Sequence, residues 1–255
     1  MEPEVSIIVL SYNHWECTER MLCTLGKTSG RAFETVVVDN GSAEETRRSL
    51  AEFSSGERAS ALGMRCVYLE RNLGVAGGRN VGTSAASGRY LAFLDNDVEV
   101  TNPIWLDALV TAIECDAGIG VAGGALIHVG GVQGHDFWGG FVDAACRVHY
   151  YDRQPGQLIE TDYCLGACML VEAGLWRELA GFSTVYGLAN YEDVDFCLRA
   201  REKGMRCVVV SGAQLLHHSH STTRIAGFER MRRYLVSGRK FRERWLGRLR
   251  PGRNE

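Results

Sequence analysis

Four short apolar runs punctuate the first hundred residues: Val5–Leu10, Thr35–Val38, Cys66–Leu69 and Leu91–Leu94. They are continuous rather than alternating, the pattern of strands buried on both faces. Between them the spacing predicts helices over Glu16–Leu25, ended by Gly26, near residues 43–52, and over Gly77–Ala86. Ser42 and Glu45 have the spacing of a capping box for the second of these. Residues 54–61 are small and polar and read as a loop. Four strands alternating with three helices call for right-handed β-α-β units around a parallel sheet.

Beyond residue 100 the rhythm changes. Asn102 and Pro103 suit the N-cap and first position of a helix reaching Cys115. Residues 118–170 are glycine-rich, with strand-like pieces at Val121–Ile127, Val142–Tyr151 and Tyr163–Val171. A short helix is expected at Leu175–Leu179, and one at Val194–Lys203 stopped by Gly204. Cys207–Val210 reads as a strand, followed by a histidine-rich loop at 217–220. Phe228 to Leu249 forms a long basic helix with Phe241, Trp245 and Leu249 on one face, interrupted at Ser237-Gly238.

Composition narrows the class. Of 255 residues, 45% are apolar and 23% charged, as in ordinary globular proteins. No apolar run approaches the ~18 residues that span a bilayer. The acidic start Met1-Glu-Pro-Glu does not read as a signal peptide, so a cytoplasmic location is expected. Nine cysteines at irregular spacing, without a Cys-x-x-Cys, suit core packing. Cys164 and Cys168 with His217, His218 and His220 could in principle ligate zinc, but the cysteines lie in an apolar run. The net charge of −3 is uneven: residues 224–255 carry eleven basic residues against Glu229, Glu243 and Glu255. That basic tail suits an anionic partner surface or a solvated helix face.

The strand ends carry the candidate chemistry. Leu91–Leu94 stops on Asp95-Asn96-Asp97, and a parallel strand delivers such carboxylates to the carboxyl edge of the sheet, where α/β folds bind ligands. Carboxylates there suit a hard divalent cation; the plain alternative is a turn. The first strand closes with Ser11, Tyr12 and Asn13 and the second with Asp39, so these residues share one crevice. Tyr12 offers a flat face for a base, and Asp39 an acceptor for base or ribose donors. The stretch Gly74–Gly82 lacks a Gly-x-Gly-x-x-Gly and no Gly-Lys-Ser/Thr occurs. Its glycines read as permitting close helix packing, leaving Asn72 and Arg79 available to a ligand.

Taken together, Val5–Asn13, Val37–Ser42, Arg71–Gly82 and Phe93–Asp97 resemble the successive blocks of family-2 glycosyltransferases with the GT-A fold. The resemblance continues through Gly166–Leu170, Tyr191–Arg199 and His217-His218. Phe241-Arg-Glu-Arg-Trp245 is similar to a Phe-x-x-Lys-Trp near the end of some members. It implies a mostly parallel α/β fold for nucleotide-diphospho-sugar transfer. Residues 1–223 would form the transferase domain, with a nucleotide-binding half (1–100) and an acceptor and catalytic half (101–223). Residues 224–255 would be a basic helical extension.

The resemblance also implies roles. Asp95-Asn96-Asp97 matches the Asp-x-Asp whose last carboxylate holds Mg²⁺ or Mn²⁺ on the donor diphosphate, and His217 a histidine completing that site, with His218 and His220 as its alternatives. Ser11, Tyr12, Asn13 and Asp39 match positions holding base and ribose, with Asn72, Gly74, Arg79, Asp95 and Asn96 also on the donor side. Asp193 matches the general base of inverting members, with Glu192 as its competitor. A base at a helix N-terminus is kept ionised by the dipole. Asp193 and Asp195, two apart on a helix, cannot both face the cleft.

The implied reaction moves a hexosyl or deoxyhexosyl group from a nucleotide-diphosphate donor to a small-molecule, glycan or lipid-linked acceptor, with no nucleic-acid partner. The basic helix could touch a membrane surface, and a homodimer is compatible with it. A non-catalytic sugar-nucleotide binder and a nucleotidyltransferase on the same scaffold are the alternatives. One departure stands out: members commonly carry Gly-Gly-Phe-Asp where this chain has Ala180-Gly-Phe-Ser183.

Overall fold

A computed structural model of the chain describes residues 2–129, 135–151, 156–218 and 227–249. The four apolar runs become β1 (Val5–Ser11), β2 (Phe33–Asp39), β3 (Met64–Tyr68) and β4 (Tyr90–Asp95). They are parallel and lie in the order β3-β2-β1-β4. Parallel neighbours need crossover connections, supplied here by α1 (Trp15–Leu25), α2 (Glu44–Ser54), α3 (Glu57–Ala61) and α4 (Gly74–Ser84). Ile7, Ile8, Val9, Val36, Val37, Val38, Ala92, Phe93 and Leu94 are fully enclosed, which accounts for the unbroken apolar runs.

Two local expectations are corrected. Residues 54–61 are not all loop: Gly56 separates α2 from α3, whose Ala59 is buried. Ser42 does not cap α2, which starts after Ala43. Instead Ser42 Oγ accepts the Asn13 N–H (2.8 Å), and Asn13 Oδ1 accepts the Ala43 N–H (2.9 Å). The orphan donor at the helix start is thus satisfied from the neighbouring strand end.

The glycines of α4 serve packing. A Cβ on Gly78 would strike the Leu10 side chain, and one on Gly82 would lie 2.7 Å from Ile8. The helix therefore settles directly on the sheet.

The back half is mixed. After β4 come β5 (Val98–Glu99), α5 (Trp105–Cys115) and β6 (Ile119–His128), then a separate hairpin of β7 (Gly140–Val142) and β8 (Val148–Tyr150). The hairpin replaces a single strand-like piece because Asp143 Oδ1 accepts the N–H groups of Ala145 and Arg147, turning the chain. β9 (Leu158–Thr161), β10 (Cys168–Glu172), α6 (Ala173–Glu178), α7 (Glu192–Glu202) and β11 (Arg206–His217) follow. β10 runs antiparallel between β4 and β6, and β11 is parallel to β6. The parallel order of the front half therefore gives way to alternating directions behind it. β11 passes an irregularity between Val210 and Gln214 and runs to His217, so that histidine ends a strand rather than sitting in a loop.

The last described helix, α8 (Gly227–Trp245), passes without a break through Ser237 and Gly238. Both residues have a packing reason. Ser237 Oγ donates to the Tyr186 carbonyl at 2.7 Å, and a Cβ on Gly238 would lie 3.3 Å from the Tyr191 hydroxyl. Phe241 and Trp245 are buried, and Trp245 Nε1 donates to Asp195 Oδ1 at 3.0 Å. Tyr186 Oη (2.7 Å) and Arg199 Nε (2.8 Å) donate to the same carboxylate. Trp245→Phe keeps most of the ring but leaves that enclosed carboxylate short of a donor. It is expected to cost about 2 kcal/mol, read as a lower urea midpoint at unchanged slope. An unchanged midpoint would mean that the indole N–H contributes nothing to anchoring α8.

All nine cysteines are free, and Cys164, Cys168, Cys197 and Cys207 are buried. No helix among the described residues is long and apolar enough to cross a membrane.

Candidate active site

The parallel register levels the strand ends. Ser11 pairs with Asp39 and Leu10 with Asp95, so β1, β2 and β4 finish along one edge. After β4 the chain turns through Asn96 and Asp97 into β5, which pairs antiparallel with the end of β11. That pairing sets His217 opposite Val98, and the Asp97 carbonyl accepts the His218 N–H at 2.9 Å. Ligand atoms of Asp95, Asp97 and His217 consequently lie within 4.8 Å of one another. Among the described residues this is the group able to hold a metal, and it contains no thiol.

Its chemistry fits a divalent cation. Two carboxylates provide hard oxygen ligands and the imidazole one nitrogen, a set compatible with Mg²⁺ and Mn²⁺. His217 Nε2 is 3.3 Å from Asp97 Oδ1. Burial works to lower the His217 pKa, but Asp97 and then Asp95 outweigh it and the value is raised. His218 turns to Glu99 instead (3.1 Å). His220 lies outside the described residues.

On the donor side the expected residues divide into two groups. Tyr12 is 42% exposed, whereas Asp39 is enclosed. Asp39 Oδ2 accepts the Ser42 N–H at 3.3 Å, while its Oδ1 has no partner among the described residues. A buried carboxylate oxygen left open is costly unless something donates to it. The other expected residues carry internal hydrogen bonds that fix their side chains. Ser11 shares a hydrogen bond with Thr18 (2.9 Å), and Asn96 donates to the same Thr18 hydroxyl (2.9 Å). Asn13 holds the start of α2. Asn72 Oδ1 accepts from Asn40 and from the Gly74 N–H. Gly74 adopts φ +77° where a Cβ would meet the Gly187 carbonyl at 2.8 Å.

Arg79 is likewise tied into the fold. It is 1% exposed, pairing with Asp95 at 2.5 Å and donating to the Gly166 carbonyl at 2.8 Å. The helix packing that buries α4 carries this guanidinium under the metal cluster.

Gly166 connects that cluster to α7. Its N–H donates to Asp193 Oδ2 at 2.9 Å, and the Val194 N–H to Asp193 Oδ1 at 2.8 Å. Burial raises the Asp193 pKa and outweighs those two N–H bonds, which lower it. Glu192 is buried beside it; burial, then the Asp193 charge, push its pKa up to about 8. Asp195 is fully enclosed among Tyr186, Arg199 and Trp245.

A family model described as glycosyl transferase family 2 matches residues 6–178. The chain belongs to that family. It is 26% identical over 246 residues to the O-antigen biosynthesis protein RfbC of Myxococcus xanthus, covering 87% of this chain and 18% of the relative. It is 34% identical over 93 residues to the Escherichia coli UDP-Glc:alpha-D-GlcNAc-diphosphoundecaprenol beta-1,3-glucosyltransferase WfgD, covering 36% of this chain and 34% of that one. The chain spans a quarter or less of the first curated relatives it matches. Among solved structures, the Pyrobaculum calidifontis mannosyltransferase PcManGT, in complex with GDP-Man and Mn²⁺, superposes with a TM-score of 0.71. The identity there is 16%, and the match covers 99% of this chain and 66% of the other. The shared architecture is the GT-A fold.

Two features of this family-2 chain escaped the sequence. Ala180, where the family pattern has Gly, takes φ +56°, and the following Phe182 is held by Asn80 through both backbone groups. The role of Gly166 in linking Arg79 to Asp193 has no local signal, because 87 residues separate the glycine from its arginine.

Proposed function

We propose that the chain is a metal-dependent inverting glycosyltransferase that moves a hexosyl or deoxyhexosyl group from a nucleotide-diphosphate donor to a hydroxyl. The carrying observation is the Asp95–Asp97–His217 cluster, linked through Arg79 and Gly166 to Asp193. A divalent cation held by those three residues would neutralise charge on the leaving diphosphate. The imidazole ligand favours Mn²⁺ over Mg²⁺. Asp39, with its open oxygen, would accept from base or ribose, and Tyr12 would pack against the base.

Asp193 would take the acceptor hydroxyl proton as that oxygen attacks the anomeric carbon. Its raised pKa suits a base better than an ordinary aspartate would. A single displacement of this kind inverts the anomeric centre. Glu192, pushed to about 8, is largely protonated at neutral pH and so is poorly placed to accept a proton. The name of WfgD supports a glycan or lipid-linked acceptor here too. The basic face of α8 would serve contact with a membrane surface or a second copy of the chain.

Thermal shift with UDP-, dTDP- and GDP-sugars, each with and without Mn²⁺, tests the donor half. One donor at a hundred times its Kd should add about 2.7 kcal/mol of stability, and the Tm rise should need the cation. A Tm rise that is identical with Mn²⁺ and with excess chelator would defeat the reading.

A further inference from the structure

Three tyrosines from separate parts of the chain converge beside Asp193. Tyr150 ends β8, Tyr191 immediately precedes α7, and Tyr234 comes from α8. The Tyr191 and Tyr234 rings lie 5.5 Å apart, and Tyr191 is stacked from behind on Phe241 at 4.8 Å and 25°. Tyr150 is backed edge-to-face by Phe137 at 5.8 Å. Burial, then the Asp193 carboxylate and the Tyr234 hydroxyl raise the Tyr150 pKa, so the three groups share one neighbourhood. Burial, then the Tyr234 and Tyr150 hydroxyls raise the Tyr191 pKa in turn.

These rings are not simply core. Tyr150 is 50% exposed and Tyr234 47%, against complete burial of Phe241 directly below. The backbone is also forced here: Asn190 and Tyr191 take φ values of +77° and +71°. Two consecutive non-glycine residues in the left-handed region cost free energy that the surroundings must offset, and such strain concentrates at working sites. Ser237 and Gly238 make the arrangement feasible, one bonding the 186 carbonyl and the other making room for the Tyr191 ring.

Half-exposed rings with hydroxyl tips, backed by buried aromatics, make a rigid amphipathic surface. A pyranose ring is matched to it: its C–H face lies on the aromatic face while its hydroxyls reach the tyrosine oxygens and the carboxylate. An aliphatic chain would leave three phenol groups and Asp193 unmatched. We propose that Tyr150, Tyr191 and Tyr234 form the acceptor subsite of this enzyme and select acceptors that present a sugar ring. The proposal rests on Asp193 being the base of the transfer. It also gives α8 a direct part in acceptor binding.

The test is saturation-transfer NMR on the full chain with Mn²⁺ and the nucleoside diphosphate, using methyl α- and β-hexopyranosides as probes and a short polyprenyl phosphate as the non-sugar probe. At least one glycoside should show saturation of its ring protons. Tyr150→Ala and Tyr234→Ala should each weaken its binding about tenfold, within the range of aromatic contacts. Tyr234→Phe, which keeps the ring, should bind within a few-fold of wild type, a recovery that a general loss of folding would not produce. Glycoside binding unchanged in both alanine variants, or binding of the polyprenyl phosphate alone, would overturn the subsite. Donor binding read by thermal shift on the same wild-type sample separates the two ideas. A missing donor shift counts against the transferase reading, whereas unaltered glycoside binding in the variants counts against the tyrosines.

Discussion

Asp97→Ala is expected to lower turnover by at least ~10³-fold and to remove the metal-dependent part of donor binding. Asp97 is 6% exposed and sits between Asp95 and the imidazole of His217. Asp95 shares its charge with Arg79, so alone it would hold a cation more weakly than the pair. Initial rates against Mn²⁺ concentration provide the measurement. A variant that keeps Mn²⁺-dependent activity within a few-fold of wild type would place the cation elsewhere. His217→Ala should shift the Mn²⁺ requirement in the same direction but less severely, because both carboxylates remain.

Asp193→Asn should leave the donor-induced thermal shift nearly unchanged while kcat falls by ~10²–10⁴-fold, the range for a positioned acid–base group. Asparagine preserves the shape and can still accept one of the N–H bonds from Gly166 or Val194, so the loss reports the missing base. Glu192→Gln is the control. A glutamate with a pKa near 8 is already mostly neutral at pH 7, and its amide should change kcat far less. Should Glu192→Gln prove the crippled variant and Asp193→Asn behave normally, proton removal belongs to the neighbouring residue.

How much of this was legible beforehand follows from the range of each interaction. The front sheet was readable because an unbroken apolar run ending in an acid states both its burial and its edge; Leu91–Asp97 does this within seven residues. Periodicity also gave the helices packed on that sheet. The limits appear where a local signal competes with a distant one. Ser42 and Glu45 have the spacing of a cap, but Asn13, about thirty residues earlier, took the position. Arg79 and Asn96 look free for a ligand in a linear reading, yet burial commits them to Asp95 and Thr18. Ser237-Gly238 reads as an interruption of a helix because the groups that require those two residues, the Tyr186 carbonyl and the Tyr191 ring, lie more than forty positions away. Tyr150, Tyr191 and Tyr234 have no spacing to detect: β8, the start of α7 and α8 bring them together through the fold alone.

Gly166 joins the two ends of the proposed reaction like the pivot of a calliper. Its carbonyl takes Arg79, which holds Asp95, while its amide holds Asp193; a Cβ at this position would run into the guanidinium. With the roles proposed above, the gap between leaving group and proton acceptor would be a single mechanical setting rather than two independent adjustments. Changes on either side should be felt on the other, making Arg79 and Asp193 substitutions non-additive, as for residues within one hydrogen-bonded network. Divergence toward new acceptors has a freer route through the tyrosine rim, where rings can be exchanged without altering that gauge.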